Sequence, residues 1–299
     1  MIRNILEYLE KTAERLPDKI AFSAPEGDIT FAELRDTAKR IGTYLTRFGK
    51  SPVAIMTQKT PVSVAAFMGA VYSGNFYTPI DVTMPKERIL SILNTLNPGV
   101  MIIDEKSRKV ADGLGYEGEI VVLEEIVETE INDEILRKIR LRTIDTDPLY
   151  ALFTSGSTGV PKGVVISHQA VVNLTEWYTE AFDITEKEII GNQAPFYFDS
   201  SVKDIYAVLK TGAQMDIIPK MLFSFPKKLL EHLEAKKINY IDWVPSALSI
   251  VVNTGALDNF QPSYLKKIMF CGEAMPTKQF NMWRAKYPDA MFANIYGPT

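Results

Sequence analysis

The sequence predicts an α/β protein in which helices cover two mostly parallel sheets. Short apolar runs alternate with amphipathic segments along most of the chain, and continuous apolar runs are typical of parallel strands buried on both faces. The chain has 299 residues, of which 46% are hydrophobic and 23% are charged, so it can bury a sizeable core. Disordered and collagen-like classes are therefore excluded.

The first part of the chain predicts two amphipathic surface helices. Apolar residues recur at helical spacing over residues 6–16 and again over residues 34–45. Thr30 and Glu33 form a capping-box pattern directly ahead of the second segment. The second helix is therefore expected to begin just after Thr30.

Further strands and helices alternate through the rest of the chain. The predicted strands are residues 52–56, 99–103, 150–153, 164–166, 189–190, 215–218, 240–244 and 264–270. The predicted helices are residues 61–72, 201–209, 226–235 and 277–286. Residues 104–146 are charge-rich and weakly patterned, which predicts a solvated excursion within one lobe. We expect one lobe from residues 51–183 and another from residues 1–50 with 184–299, with a ligand cleft between them.

Charge and composition exclude several function classes. Thirty-three Lys and Arg against 37 Asp and Glu give a formal net charge of −4, so no basic field favours nucleic acid or an anionic membrane. One cysteine cannot form an internal disulfide, and two histidines are too few for a histidine-rich metal site. No apolar run is long enough for a membrane span or a signal peptide. These features predict a cytoplasmic protein.

The densest chemical signal is a polar loop at residues 154–163, between two apolar runs. Its glycines allow backbone N–H groups to approach a ligand, its hydroxyls are further donors, and Lys162 adds a positive charge. The loop has neither Walker A nor G-x-G-x-x-G spacing, and it lacks the G-x-S-x-G pattern. A Gly/Ser-rich composition by itself favours the alternative, a flexible hairpin, so the assignment of a phosphate-binding loop depends on the full ten-residue string.

The full loop string resembles the phosphate loop of the adenylate-forming superfamily, which includes acyl-CoA synthetases, firefly luciferase and nonribosomal peptide synthetase adenylation domains. Other segments match the amino-acid-activating branch in the right order. They are TFAEL from Thr30, YTPID from Tyr77, FD at Phe198, CGEAMP from Cys271 and NIYGPT from Asn294. The resemblance covers nearly every residue and about three fifths of the family's usual length. We therefore expect a truncated N-terminal adenylation domain, over residues 1–299, without the C-terminal domain.

The resemblance implies that the intact enzyme joins a carboxylate to the α-phosphate of ATP, releases pyrophosphate and passes the acyl group to a carrier-protein phosphopantetheine thiol. Lys162 and Thr154 would be catalytic. The phosphates would be held by Thr154, Ser155, Gly156, Ser157, Thr158, Gly159 and Lys162. The adenine motifs supply Gly272, Glu273, Ala274, Asn294, Tyr296 and Gly297, while Thr299 would touch the α-phosphate. The family's Mg²⁺-binding glutamate would follow Thr299, so we expect no metal ligand in this chain and little activity from it alone.

Asp199 indicates which acid is activated. In the amino-acid branch this position binds the substrate's α-ammonium, which selects an amine over a fatty acid. The alternative is that Asp199 only caps the following helix. The remaining pocket positions are Ser200, Lys203, Asp242, Met269, Cys271 and Ile295. A buried carboxylate without a partner is costly, so Asp242 is expected to be paired. A pair with Lys203 would favour glutamate or another polar amino acid, and the alternative is that Lys203 is a solvated helix lysine.

Similarity to D-alanine carrier-protein ligases favours a different substrate. The segments NQAPF from Asn192 and MFCGE from Met269 carry it, and a cysteine at the position of Cys271 helps those ligases choose the D-enantiomer. Ser200 and Lys203 depart from their more apolar pocket. An acyl-CoA or aryl-acid synthetase is disfavoured by Asp199, and a non-catalytic nucleotide-binding module stays open. His168 is expected to be structural and His232 solvated.

Overall fold

The computed structural model describes residues 2–154 and 161–297, and within them two sheets are covered by helices. Sheet A has the order β13-β12-β11-β9-β10-β1-β2, and sheet B has the order β6-β5-β3-β4-β7-β8. The strands are β1 (Ile20–Ala24), β2 (Gly27–Thr30), β3 (Val53–Met56), β4 (Tyr77–Pro79), β5 (Val100–Ile103), β6 (Glu119–Val122), β7 (Pro148–Thr154), β8 (Lys162–Ser167), β9 (Ile189–Asn192), β10 (Gln214–Ile217), β11 (Tyr240–Trp243), β12 (Lys267–Cys271) and β13 (Met291–Ile295).

Helices follow most of the strands, as parallel sheets require. They are α1 (Leu6–Arg15), α2 (Phe31–Leu45), α3 (Pro61–Tyr72), α4 (Lys86–Leu96), α5 (Arg108–Asp112), α6 (Leu123–Ile126), α7 (Asp133–Arg140), α8 (His168–Ala181), α9 (Ser200–Thr211), α10 (Pro226–Ala235), α11 (Pro245–Asn253), α12 (Ala256–Asn259) and α13 (Thr277–Lys286). None of the described helices has both the length and the apolar content needed to cross a bilayer.

The pairing within both sheets is mostly parallel, which confirms the predicted fold class. The described exceptions are the antiparallel pairs β1–β2 and β7–β8. Strands β3 and β5 are buried at every residue, as their continuous apolar sequences predicted. Because the carboxyl ends of parallel strands meet at one edge, loops after these strands are positioned to form a site together.

The predicted helix starts are confirmed in detail. Thr30 Oγ1 accepts a hydrogen bond from the Glu33 backbone N–H at 3.2 Å, and the Glu33 carboxylate accepts one from the Thr30 N–H at 2.8 Å. This reciprocal pair satisfies two N–H groups that a helix terminus otherwise leaves free. Helices α3, α10 and α13 have the predicted bounds.

Residues 104–146, expected to be a solvated excursion within one lobe, also contribute regular elements and buried core residues. This segment contains strand β6, which pairs in parallel with β5 and extends sheet B, and helices α5, α6 and α7. Leu123, Ile126 and Leu136 are buried in the core. The apolar groups are short and separated by charged residues, so their periodicity was too weak to predict elements that tertiary packing stabilises.

One large core joins the two sheets. It includes Phe22 and Met215 of sheet A, Val53 and Ile102 of sheet B, and Tyr206 of helix α9 between them. Helix α9 is therefore anchored on both sides, which fixes the side chains at its first turn relative to the neighbouring strand ends.

Helices α2 and α3 pack closely at Gly69, where there is no room for a larger side chain. A Cβ at Gly69 would lie 2.5 Å from Ile41 Cγ2, so Gly69→Ala is expected to lower the free energy of unfolding by about 1–3 kcal/mol through overpacking. Urea unfolding monitored by circular dichroism measures this. Gly113→Ala is the control, since a Cβ there meets ordinary contacts at 3.4 Å or more and φ is −73°. Equal stability of both variants would contradict the close packing.

Candidate functional site

Strands β7 and β8 form the base of the predicted phosphate loop. Thr154 ends β7 and lies opposite Lys162, the first residue of β8, in an antiparallel pair. The two strands predicted to flank the loop are thereby confirmed. Thr154 is half-buried and Lys162 is exposed, so the lysine side chain is accessible to a ligand. The predicted loop residues Ser155, Gly156, Ser157, Thr158 and Gly159, and also Thr299, lie outside the described residues.

The two predicted adenine segments leave sheet A at the same edge. Strands β12 and β13 are parallel, with Cys271 opposite Ile295, so the segment from Gly272 and the segment around Tyr296 begin side by side. Tyr296 is 91% exposed, which leaves its ring free to stack on a base. The remaining members of the two segments, Glu273, Ala274, Asn294 and Gly297, are also exposed.

Gly272 and Glu273 shape the turn after β12. Gly272 has a φ of +89°, a conformation that L side chains rarely adopt, and this turns the chain away from the sheet. The Glu273 carboxylate accepts hydrogen bonds from the Ser246 backbone N–H at 2.9 Å and from the Ser246 hydroxyl at 3.2 Å. Glu273 thus ties this turn to the start of helix α11, a link that sequence analysis missed. The exposed Tyr296 ring could stack on a nucleotide base, and the absence of a side chain at Gly272 would allow the base to approach the backbone.

No group of three or more His, Cys, Asp or Glu side chains in residues 2–154 and 161–297 is arranged to hold an ion.

Asp199 lies at the start of helix α9, where the chain turns from the end of β9. Its side chain makes no capping hydrogen bond, and its backbone is already helical with φ −59° and ψ −27°. The alternative that Asp199 serves as a helix cap is therefore wrong. The residue is half-buried, and burial together with the charge of Asp199 raises the pKa of Tyr150. The carboxylate is thus close to Tyr150 and not used by the helix.

The floor of the predicted pocket is a buried ion pair. Lys203 Nζ lies 2.6 Å from Asp242 Oδ2, and the two side chains are 9% and 1% exposed. This confirms the predicted pairing of the Asp242 carboxylate. The charges of Lys203 and Asp242 sum to zero, so each already satisfies the other without a contribution from a substrate.

Cys271 contacts both members of the ion pair. Lys203 Nζ donates to Cys271 Sγ at 3.3 Å, and the thiol lies 3.7 Å from Asp242 Oδ1. Burial and the charge of Asp242 raise the pKa of the Cys271 thiol, which therefore stays protonated. Burial alone would lower the pKa of Lys203, but the charge of Asp242 raises it, so the ammonium is retained.

The other predicted pocket residues lie around this floor. Ser200 Oγ is 3.6 Å from Cys271 Sγ. Met269 is opposite Asp242 in the β11–β12 pairing and is fully buried, while Ile295 is opposite Cys271 and half-buried. The structure therefore brings Ser200, Lys203, Asp242 and Cys271 into contact and places Met269 and Ile295 in neighbouring register positions.

Two tyrosines under this floor were missed by sequence analysis. The Tyr178 hydroxyl of helix α8 donates to Asp242 Oδ2 at 3.1 Å and also contacts the Tyr240 hydroxyl of β11. Tyr178 is separated from Asp242 by 64 residues, so no local pattern links them. A tyrosine in an apolar helix face predicts core packing, and no signal in a single sequence distinguishes its hydrogen bond.

Two further buried carboxylates, Asp204 and Asp216, also have polar partners. Asn192 Nδ2 donates to Asp204 Oδ2 at 2.6 Å, and burial raises the pKa of Asp204. His232 Nε2 lies 2.6 Å from Asp216 Oδ1 and its side chain is 18% exposed, so the prediction of a solvated His232 is wrong. Lys and Glu residues surround His232 in helix α10, so the sequence did not indicate that this histidine faces inward.

A cavity of about 610 Å³ opens between the strand ends of the two sheets. None of the predicted site residues that the structure describes lines it. Lys59 is a basic residue of its lining, with Nζ 5.3 Å from the centre of the Phe196 ring, and burial lowers the pKa of this lysine to about 7. The lining also includes Thr57, Ile80, Tyr197, Ile217 and Phe223. The cavity and the pocket floor therefore share no described residue.

His168 makes a structural contact, as predicted. Its Nδ1 accepts a hydrogen bond from the Ile5 backbone N–H at 3.3 Å, which joins the start of α8 to the start of α1. Burial and the nearby Arg140 charge lower the pKa of His168 to about 4, so the ring is neutral and able to accept.

Comparisons with known proteins agree with this arrangement. A family model described as "AMP-binding enzyme" matches residues 9–299. The D-alanine--D-alanyl carrier protein ligase of Staphylococcus aureus strain JH9 is 31% identical over 298 residues, which are 99% of this chain and 59% of that protein. The chain thus spans about three fifths of the length of these curated relatives.

Solved structures show the same fold. The nonribosomal peptide synthetase FmoA3 matches with a TM-score of 0.88 and 25% identity, over 99% of this chain and 31% of that one. VinN in complex with L-aspartate matches with a TM-score of 0.86 over 100% of this chain and 77% of that one. Its identity of 18% supports a shared fold alone.

Proposed function

The chain belongs to the family of AMP-binding enzymes, as its motifs predicted, and on that premise we propose that the whole protein adenylates an amino acid. It would join the amino-acid carboxylate to the α-phosphate of ATP, release pyrophosphate, and transfer the aminoacyl group to a carrier-protein phosphopantetheine thiol. The observation that carries the amino-acid assignment is the half-buried Asp199 carboxylate, which leaves the helix uncapped and is available to an ammonium group.

In this proposal, Thr154 and Lys162 act on the phosphates. Both are at the base of the loop, and the exposed Lys162 ammonium would stabilise the negative charge that develops on the leaving pyrophosphate. Mg²⁺, when bound, would neutralise part of the same charge. Tyr296 would stack on the adenine, and the turn at Gly272 would approach the base closely. We also propose that residues 51–183 form one lobe and residues 1–50 with 184–299 the other.

The substrate side chain would enter between Ser200, Lys203 and Cys271. The Lys203 ammonium has three N–H donors, and its described acceptors are the Asp242 carboxylate and the weakly accepting Cys271 thiol. A substrate oxygen could replace the thiol at Lys203. This supports glutamate or another polar amino acid with an acceptor oxygen in its side chain.

D-alanine is the second candidate, and two observations favour it. The relatives at 31% identity are named D-alanine--D-alanyl carrier protein ligases. The Lys203–Asp242 pair is self-neutralised, so a methyl group would leave no charge unpaired. A pyrophosphate-exchange panel of D- and L-amino acids with the complete gene product separates the two candidates, and exchange with none of them would contradict amino-acid adenylation.

Replacing Lys162 tests the phosphate loop. Lys162→Ala is expected to slow amino-acid-dependent pyrophosphate exchange by about tenfold or more, because a loss of about 1.4 kcal/mol of transition-state stabilisation has that effect. The rate is measured in the complete gene product at saturating ATP. Lys138→Ala, which removes an exposed lysine from helix α7, is the matched control. Equal rates in the two variants would remove Lys162 from its assigned role.

A further inference from the structure

We propose that Tyr178 is a positioning residue of the amino-acid pocket, because its hydroxyl fixes the Asp242 carboxylate that holds Lys203 and Cys271. Tyr178 lies on helix α8, outside the segments that carry the family motifs. The inference rests on the proposed function, since it takes Lys203 and Cys271 as residues of a substrate pocket.

Asp242 needs more than one donor where it lies. Its side chain is 1% exposed, and a buried carboxylate is stable only when its oxygens accept hydrogen bonds. Oδ2 accepts from Lys203 at 2.6 Å and from Tyr178 at 3.1 Å, whereas Oδ1 has only the distant Cys271 thiol at 3.7 Å among the described groups. Among the described residues, the Tyr178 hydroxyl is therefore the only neutral O–H group that donates a hydrogen bond to this carboxylate.

The direction of the hydrogen bonds follows from the number of protons. A phenol has one O–H, so Tyr178 donates to Asp242 and accepts from the adjacent Tyr240 hydroxyl. Burial and the charge of Asp242 raise the pKa of both tyrosines, so both remain protonated donors. The Lys203 ammonium also lies 5.9 Å from the centre of the Tyr178 ring. Tyr178 thus contacts both members of the ion pair.

Tyr206 offers a matched comparison within the same core. It is also fully buried, and its hydroxyl pairs with the Tyr77 hydroxyl at 2.8 Å. Removing either hydroxyl therefore breaks one buried tyrosine–tyrosine hydrogen bond. The Tyr178 hydroxyl alone of the two contacts a carboxylate in the described structure, so any difference between Tyr178→Phe and Tyr206→Phe reports on the pocket.

Cys271 is the sole cysteine of the sequence and can report on the pocket floor. The charged and titratable groups facing it are Asp242 and Tyr240 of β11 and Lys203 of α9, with Ser200 as a neutral contact. Without the Tyr178 O–H, the Asp242 charge acts more strongly on the thiol and raises its pKa further. Alkylation of Cys271 by iodoacetamide at about pH 8 is expected to be about threefold slower in Tyr178→Phe than in the wild type.

Tyr206→Phe is expected to leave the alkylation rate unchanged. Equal rates in Tyr178→Phe, Tyr206→Phe and the wild type would overturn the inference. If Tyr178→Phe does not fold, as judged by circular dichroism, Tyr240→Phe replaces it: loss of the donor to Tyr178 should slow alkylation in the same direction by a smaller factor. An unchanged rate in that variant would also overturn the inference.

Pyrophosphate exchange with the complete gene product gives a second readout. Tyr178→Phe is expected to raise KM for the preferred amino acid about fivefold while kcat and the KM for ATP stay within about twofold, since uniform binding of the side chain is weakened. Tyr206→Phe should change none of these constants. A wild-type protein that shows no amino-acid-dependent exchange would contradict the proposed function, whereas the alkylation rates would still decide the role of Tyr178.

Discussion

Replacing Lys203 by methionine is expected to lower the free energy of unfolding by about 3–5 kcal/mol, the usual cost of leaving one member of a buried ion pair without its partner. Lys203 and Asp242 are 9% and 1% exposed, so water cannot replace the lost ammonium. Because the charge of Asp242 raises the pKa of Lys203, this stabilisation is fully present below the unfolded-state lysine value of about 10.4. It is lost only as the pH rises through the higher folded-state value. Urea unfolding at about pH 6 and about pH 9 should therefore show the same loss.

Two further variants test the origin of that loss. Lys203→Met combined with Asp242→Leu should recover most of the stability, because an apolar pair of similar volume carries no desolvation cost. Lys138→Met, which breaks the exposed pair with Glu134, should change the free energy of unfolding by less than about 0.5 kcal/mol. If Lys203→Met cost no more than Lys138→Met, the floor would be solvated and the pair would not shape the pocket.

Local patterns were sufficient to predict about half of the helices and most of the strands. The capping pair Thr30 and Glu33 and the prolines at residues 61 and 226 mark helix starts through short-range chemistry, and the helices begin there. Strands buried on both faces could be predicted from four apolar residues in a row. Strand β6 could not, because its first two residues are exposed or half-buried and charged residues surround it.

Site contacts could be predicted where burial of a residue costs free energy unless it has a specific partner. A carboxylate inside the apolar strand β11 requires a partner, so the Lys203–Asp242 pair could be inferred before the fold was known. Contacts between residues with common alternative roles could not be inferred. Tyr178, His232 and Glu273 each have an ordinary helix or surface environment in the sequence, and only the tertiary structure places a carboxylate or a helix start beside them.

The selection of an amine is expected to depend on Asp199. In the complete gene product, Asp199→Ala should lower kcat/KM for the preferred amino acid about 100-fold, because the loss of a charge-assisted contact to a buried ammonium costs about 2.7 kcal/mol. The wild type should discriminate strongly against the matching des-amino acid, which would leave the Asp199 carboxylate without a partner. Pyrophosphate exchange with the two acids measures both constants.

The pattern of change across the two acids separates an ammonium contact from a structural role. If Asp199 binds the ammonium, the variant should lose the preference between the acids, since activity with the des-amino acid has no such contact to lose. Asp199→Asn should behave like Asp199→Ala, because the amide keeps the size of the side chain but not its charge. Asp28→Ala, at an exposed position of β2, should leave both constants unchanged. If Asp199→Ala reduced exchange with both acids by the same factor, the carboxylate would support the fold of the β9–α9 connection, and the substrate class would have to be assigned from other residues.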